Sequence, residues 1–273
     1  MKSNLRNGFL AAAVSLALAS PAQAVFVNPN LGSNTSFDGW NNLTITNPQI
    51  AEVNANAGGQ GAPGAFGAFP GANPWPEAIE SHVPPPGTVN PIIPPMPAPQ
   101  VPYSTTYGDA TFDKVSGLGY PAGISIYASP FGNGTYNVSD DNPLAGVQTI
   151  TFQLEIGTGS DPRWLSAFPT LNVNGGTFVP IEYFKVLSQG IGNTGFGPVN
   201  VGVLAYQWDV SGLGQIDSID IEFTPAGTST TILGMQLDQG DQFSSVILVP
   251  EPTSAALLGL AALGLMARRR RKS

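Results

Sequence analysis

Carboxylates are the main side chains able to do chemistry in this 273-residue chain, because cysteine is absent and histidine occurs once. A transition-metal site needs clustered histidine or cysteine, which rules that class out here. A Ser–His–acid triad would have to use His82, which lies among prolines, and the chain has no Gly-x-Ser-x-Gly nucleophile elbow. We therefore expect no thiol, triad or transition-metal chemistry.

Paired carboxylates remain as a candidate for glycoside hydrolysis, which needs two of them about 5 to 9.5 Å apart across a cleft. Glu155, Glu182 and Glu222 all fall on predicted strands. Each occupies the polar phase of its strand, so solvated outer faces are the expectation and no catalytic residue is predicted. A secreted glycan hydrolase is the weakest of three functional hypotheses.

Calcium is the better ligand hypothesis, because it prefers hard oxygen donors. The candidate ligands are Asp140, Asp141, Asp217 and Asp220. Asp140 to Pro143 also has the composition of an ordinary turn. The prediction is therefore no cofactor, with calcium as the one candidate ion.

Aromatic side chains on a surface would instead indicate sugar binding, since a ring face stacks on a pyranose. Trp164, in the segment Asp161-Pro162-Arg163-Trp164, is the candidate sugar contact. Tyr206 and Trp208 share one strand face with apolar neighbours, which favours burial in the core.

The elements that would position these residues are short strands separated by Gly, Asn, Asp and Pro. Clean alternation of apolar and polar residues occurs at 149–156, 219–223 and 233–238. Many antiparallel strands with one apolar face pack best as two facing sheets. The prediction is an all-β protein with an antiparallel β-sandwich or jelly-roll-like domain at 25–248. Further strands are predicted at 40–46, 124–128, 135–138, 171–173, 178–187, 201–210 and 244–248.

Residues 51–105 interrupt this pattern with 13 of the 26 prolines. Proline fixes φ and removes a ladder donor, so a Pro/Gly-rich insertion is predicted, with Trp75 among the aromatics that pin it to the sheet. An alternative places the whole domain after Tyr107 and makes everything before it a stalk.

The first 24 residues have the organisation of a signal peptide. Lys2 and Arg6 form a positive region, residues 8–20 are apolar, and Ala22-Gln23-Ala24 is an Ala-x-Ala cleavage site. We expect a signal helix that is cleaved after Ala24.

Residues 249–273 combine three features in a fixed order. Pro250, Glu251 and Pro252 lie in the motif 249–253, and an apolar stretch follows at 253–267. The last part, 268–273, contains Arg268, Arg269, Arg270, Arg271 and Lys272. A helix of 15 residues spans roughly 22 Å, short for a bilayer core of about 30 Å, so a short transmembrane helix with a basic membrane stop is predicted.

This tail resembles the PEP-CTERM sorting domain of Gram-negative bacteria, in which a Pro-Glu-Pro motif precedes a membrane span and an arginine-rich end. The resemblance implies recognition by an exosortase-like membrane enzyme, transient anchoring in the inner membrane, and release or transfer to the cell surface. The body also resembles other PEP-CTERM cargo proteins loosely, and that likeness implies no activity.

Charge separates the remaining functional classes. Between the two terminal segments lie three basic and seventeen acidic residues, which opposes binding to nucleic acid or anionic lipid. The leading prediction is an exported, non-enzymatic protein of the cell surface or extracellular matrix. Its expected partners are the secretory translocon, an exosortase-like enzyme and exopolysaccharide. A carbohydrate-binding module of the exopolysaccharide matrix is the alternative.

Overall fold

The computed structural model describes residues 26, 29, 31–40, 43, 75, 78–81, 106–107, 109–117, 119–121, 125–129, 134–159, 163–194, 197–227 and 229–243. These residues form two facing β-sheets and contain no helix. The all-β prediction is confirmed for this part of the chain. The predicted signal helix, the C-terminal helix and the strand at 244–248 lie outside it.

Sheet A has eight strands. They are β1 (Thr35–Trp40), β3 (Thr106–Tyr107), β5 (Tyr120–Pro121), β6 (Ile126–Ser129), β8 (Thr149–Thr158), β11 (Tyr183–Thr194), β12 (Gly197–Asp209) and β14 (Thr230–Gly240). The main path runs β11-β12-β8-β14-β1-β3, and β6 pairs with both β14 and β5.

Sheet B has six strands in the order β10-β9-β13-β7-β4-β2. They are β2 (Ile79–Glu80), β4 (Thr111–Ser116), β7 (Thr135–Asp140), β9 (Thr170–Val173), β10 (Thr177–Val179) and β13 (Ile219–Phe223). All its pairings are antiparallel, and in sheet A only the short β1–β3 pairing is parallel.

Consecutive strands cross repeatedly between the sheets. The chain passes from β7 in sheet B to β8 in sheet A and back to β9, and again from β12 through β13 to β14. Neither sheet is complete without strands from distant parts of the sequence, so the fold depends on long-range pairing.

The core lies between the sheets and is rich in aromatic rings. Trp40 of β1 contacts Phe112 of β4 edge-on, with ring centroids 6.4 Å apart. Phe152 of β8 contacts Phe223 of β13 at 5.5 Å. Both separations fall within the range that stabilises aromatic pairs by about 0.5 to 1.5 kcal/mol beyond burial. The predicted core position of Trp40 is confirmed, since its side chain is fully buried.

Strand β1 is Thr35–Trp40 and so begins before the strand predicted at 40–46, of which residues 41–42 and 44–46 lie outside the described part of the chain. One other predicted strand is wrong for an identifiable reason. The strand predicted at 178–187 is two strands in different sheets, β10 and β11, because Pro180 lies between them and lacks the N–H a continuous ladder would need.

The proline-rich segment contributes to the sandwich. Trp75 is buried, with its ring centroid 5.5 Å from that of Phe112, and Ile79 lies in β2 of sheet B. Trp40 donates its Nε1–H to the carbonyl of Ile79 at 3.1 Å. The expectation that Trp75 pins this segment is confirmed. Its two-residue strand β2 lies at the edge of sheet B, where proline-rich sequence is tolerated.

The first and last described strands of the body lie side by side. Thr35 of β1 is opposite Gly240 of β14, and the pairing continues to Trp40 opposite Met235. Beyond the strands, the amide of Asp241 donates to the carbonyl of Asn34 at 3.1 Å. The two ends of the body are therefore held together at one end of sheet A.

Candidate functional site

A buried layer of polar side chains lies on the outer face of sheet A. Thr151, Gln153 and Glu155 of β8 alternate with core residues, as do Gln236 and Asp238 of β14, and all five are buried. Thr151 is opposite Asp238, and Gln153 is opposite Gln236. We call these five residues the polar layer. Burial of this face was not predicted, because alternation normally places the polar phase in water.

Asp238 is the centre of the polar layer. Its Oδ2 accepts hydrogen bonds from Nε2 of Gln153 at 3.2 Å and Nε2 of Gln236 at 2.9 Å. Burial raises the pKa of Asp238 to about 8, the two glutamine hydrogen bonds lower it, and the charge of Asp38 raises it. A carboxyl group with this pKa is mostly protonated at neutral pH, which reduces the cost of burying it.

Glu155 is the second carboxyl group in the polar layer, and its predicted solvated position is wrong. The side chain is only 6% exposed. Burial alone raises its pKa to about 7. Among the described residues, no charge or hydrogen bond acts on the carboxylate to offset that burial. It lies opposite Gly234 on one side and Val203 on the other, neither of which offers a polar side chain.

A second pair of carboxyl groups lies between the sheets, at Asp38 of β1 and Asp140 of β7. Oδ1 of Asp38 accepts the amide of Ala110 at 3.1 Å, while its Oδ2 is buried without a hydrogen-bond partner. Burial raises the pKa of Asp38 to about 7, the Ala110 hydrogen bond lowers it, and the charge of Asp140 raises it. Burial also raises the pKa of Asp140, whose Oδ2 accepts a hydrogen bond from Nε2 of Gln239.

Three of the four calcium candidates, Asp140, Asp217 and Asp220, have a carboxylate oxygen that accepts a hydrogen bond from a protein donor. Oδ1 of Asp140 accepts the amide of Asn142 at 2.8 Å, as in an ordinary Asx turn. Oδ1 of Asp220 accepts hydrogen bonds from Asn137 and Ser139, at 3.1 and 3.0 Å.

The other two candidates, Asp141 and Asp217, are exposed, and Oδ1 of Asp217 accepts Nε2 of Gln215 at 2.6 Å. No three histidine or carboxylate side chains gather into a metal-binding group within the described residues.

Two of the three glutamates considered for paired-carboxylate chemistry, Glu155 and Glu222, are in different sheets. Glu222 of β13 is exposed in sheet B, whereas Glu155 faces outward from sheet A. Glu182 is exposed just before β11, where its amide donates to the carbonyl of Gln207 at 2.9 Å. Two sheets separate Glu155 from Glu222, so that pair does not line one cleft. The solvated positions predicted for Glu182 and Glu222 are confirmed.

Aromatic side chains line one lateral flank of the sandwich, beside β11 and β12. Phe168 is 58% exposed and Phe184 is 41% exposed, with ring centroids 5.0 Å apart. Phe184 stacks on Tyr206 at 5.1 Å, and Tyr206 in turn contacts Trp208 at 6.4 Å. The predicted burial of Tyr206 and Trp208 is confirmed. We call Phe168 and Phe184, with Trp164 described next, the aromatic flank.

Trp164 lies on the same flank and packs over β12. A Cβ added to Gly202 would be 2.6 Å from Cε2 of Trp164, so the indole lies directly on the glycine backbone. The carbonyl of Trp164 accepts the amide of Ala226 at 2.9 Å, which fixes its loop to the segment between β13 and β14. The side chain is half-buried, and its Nε1–H is buried without a hydrogen-bond partner. The predicted sugar contact therefore packs at Gly202, four residues along β12 from Tyr206, against which the exposed rings of Phe168 and Phe184 lie. The sequence did not single out those two rings.

The predicted sorting and cleavage residues lie outside the described residues, as do both terminal helices. They are Ala22, Ala24, Pro250, Glu251, Pro252, Arg268, Arg269, Arg270, Arg271 and Lys272. A search of the described ranges for a helix long and apolar enough to cross a membrane finds none.

Comparison with known families identifies the C-terminal segment. The family model of the PEP-CTERM protein-sorting motif matches residues 248–271. The chain carries a PEP-CTERM sorting motif. The predicted resemblance of the tail is thereby confirmed, and this motif indicates an exported protein that passes through an exosortase-type system. No curated protein and no solved structure matches the chain significantly.

Proposed function

We propose that this chain is an exported, non-enzymatic protein of the cell surface or extracellular matrix, processed through its PEP-CTERM tail. The family match at residues 248–271 is the observation that carries the proposal. The match begins eight residues after Gly240, the last residue of β14, so the tail follows the sandwich almost directly. The sandwich is then the cargo, and Glu251 belongs to the substrate tag.

The carboxyl groups of the sandwich support a structural role for the body. Asp238 is surrounded by glutamine donors in a fully buried site. Glu222 lies opposite Asn137 of β7 and Thr170 of β9, and neither of these is an acid. A protein of this kind would contribute bulk, stability and a recognition surface to the matrix.

The test is C-terminal mass analysis of the native chain recovered from surface material. We expect a fragment ending near Thr253, and we expect Glu251→Ala to leave the chain unprocessed in the membrane fraction. Glu222→Ala, which removes the same charge from an exposed strand position, is the matched control and is expected to be processed normally. Recovery of intact residues 268–273 on surface material would refute the processing step.

A carbohydrate-binding role is the second proposal, and the aromatic flank favours it. Phe168 and Phe184 present exposed rings at Tyr206 of β12, the strand over which Trp164 also packs, and aromatic faces stack on sugar rings. The excess of acidic over basic residues in the body favours a neutral glycan over an anionic one.

Binding to neutral polysaccharides by the native protein is the measurement for this second role. We expect Phe184→Ala and Trp164→Ala each to weaken binding at least tenfold. Phe178→Ala is the matched control, because Phe178 is 61% exposed in β10 but is outside the aromatic flank. An equal loss in the Phe178 variant, or no binding by the parent protein, would exclude this role.

A further inference from the structure

The outer edge of β11 is a long strand edge in a sandwich whose other edges are short. β11 has 12 residues and ends the main path of sheet A, where β12 is its one partner within the described part of the chain. The strands at the other three ends of the two paths are β2, β3 and β10, with 2, 2 and 3 residues. Short edge strands protect a sheet against pairing with another chain, and β11 lacks this protection.

The direction of the backbone groups at this edge follows from the hydrogen bonds on the far side of β12. The amide of Val210 donates to the carbonyl of Gln148 at 2.9 Å, one position beyond the last pair of β12 with β8. The register of these two strands is uninterrupted down to Asn200, and bonded and non-bonded pairs alternate in an antiparallel ladder. Every second residue of β12 from Trp208 to Asn200 therefore bonds to β8, and the residues between them bond to β11.

Gln189 and Ile191 of β11 consequently direct their N–H and C=O groups away from β12. They lie opposite Gly202 and Asn200, whose backbone groups bond to β8. Both side chains are exposed, and Ile191, at 75%, is the most exposed large hydrophobic residue in the described part of the chain. The edge therefore presents backbone donors and acceptors together with an apolar side chain.

The far half of this edge also lacks the features that block strand pairing. The register shift between Val186 and Ser188 and the one charged residue of β11, Lys185, both precede it. Residues 188–194 contain neither proline nor charge. Because the body has seventeen acidic and three basic residues, two copies repel each other overall. Residues 188–194 are a neutral segment at which two copies can meet.

We propose that a second copy of this chain pairs with this edge, β11 against β11 in antiparallel orientation, with Ile191 opposite Ile191 of the second copy. This register places Gln189 opposite Asn193, so residues whose backbone groups face outward meet as hydrogen-bonded pairs. The two Ile191 side chains become an apolar cross-strand pair. The contact is symmetric and uses the long edge of each copy, so it closes at a dimer through which sheet A is continuous. The dimer is independent of the sorting role.

Disulfide cross-linking tests the register. Because the chain has no cysteine, a single introduced thiol can form a disulfide only with another copy. In the dimer the two Cα atoms at position 191 are about 5.5 Å apart, within disulfide range, whereas those at position 189 are about 13 Å apart or more. We expect the full-length chain with Ile191→Cys to cross-link in detergent at least tenfold faster than with Gln189→Cys. Equal rates, or faster cross-linking through position 189, would overturn the proposal.

Sedimentation of the full-length chain in detergent measures the dimer itself. The paired segment is short, so we expect a reversible dimer with a dissociation constant on the order of 10 μM. Ile191→Lys places two like charges opposite each other and should weaken dimerisation at least tenfold. Phe178→Lys, at an exposed position in β10 of sheet B, is the matched control and should leave dimerisation unchanged.

A proline at position 189 separates pairing of the edge from folding of the sandwich. Gln189→Pro removes an N–H that faces away from β12, so it should weaken dimerisation at least tenfold and leave the urea unfolding midpoint unchanged. A dimer that neither this variant nor Ile191→Lys weakens would overturn the proposal. A chain that stays monomeric at about 200 μM would also overturn it and would leave the edge to a strand of a different protein.

Discussion

Replacing Asp238 by asparagine should stabilise the protein at neutral pH. The pKa of Asp238 is about 8 in the folded protein, against an ordinary value of 3.8. Because the folded-state value is raised, its favourable contribution is fully present below about pH 4 and is lost as the pH rises through about 8. At pH 7 the loss relative to pH 4 is at most about 4 kcal/mol, at about 1.4 kcal/mol per unit.

Asparagine removes this titration but replaces one oxygen by an amide donor that faces the donors of Gln153 and Gln236. We therefore expect the free energy of unfolding at pH 7 to rise by about 2 kcal/mol, roughly half of the loss of about 4 kcal/mol that the titration of Asp238 can cause. At pH 4 the carboxyl group is protonated, so the variant should gain nothing there and should even be slightly less stable.

The assay is urea unfolding between pH 4 and pH 9, followed by the fluorescence of the buried tryptophans. The parent protein should lose stability steadily from pH 5 to pH 8.5. Asp38 and Glu155 contribute to the loss, because burial also raises the pKa of each to about 7. Asp238→Asn should flatten this slope, whereas Asp217→Asn, at an exposed loop position, should leave it unchanged. An unchanged slope in the Asp238 variant would refute the reasoning.

Two further predictions concern packing. Gly202→Val should displace Trp164, since even a Cβ would be 2.6 Å from its ring. We expect the free energy of unfolding to fall by about 1 to 3 kcal/mol and the tryptophan fluorescence to change. Gly212→Val is the control, because a Cβ on Gly212 would meet open space. Lys114→Met should raise the free energy of unfolding by about 1 to 2 kcal/mol at pH 6, measured by urea unfolding. The reason is that Lys114 is buried, its Nζ donates to the carbonyl of Gly117 at 3.3 Å, and burial lowers its pKa, so its charge is costly to keep in the fold. A lower free energy of unfolding in the variant would contradict the expectation.

The strands with strict alternation could be predicted because their pattern is local. Ile150 to Ile156 and Ile219 to Phe223 show one apolar face each, and both lie in strands of the structure. Strand β4 was not predicted, because Asp113 and Lys114 interrupt its apolar pattern. Its Lys114 is nevertheless buried on the core side, a position that only the packing of the whole sandwich determines.

The sorting motif and the buried polar layer differ in what they require of the sequence. Pro250, Glu251 and Pro252 are contiguous, so their order and spacing suffice to predict a sorting tag. The contact between Asp238 and Gln153 joins residues 85 positions apart. Its existence depends on the register of β14 against β8 and on the burial of a face whose composition is polar. No local pattern contains that information.

The position of β14 has a consequence for the order of events during export. It is the last described strand in the chain, yet it lies inside sheet A, between β8 and β1. In a chain that crosses a membrane from its N-terminus, β1 has no partner in β14 until residue 240 has emerged. Sheet A then closes when only a few residues separate the translocating segment from the PEP-CTERM motif at 248–271. Completion of the fold and exposure of the sorting tail therefore coincide. A chain that stalls earlier has neither a complete sheet A nor an exposed tail.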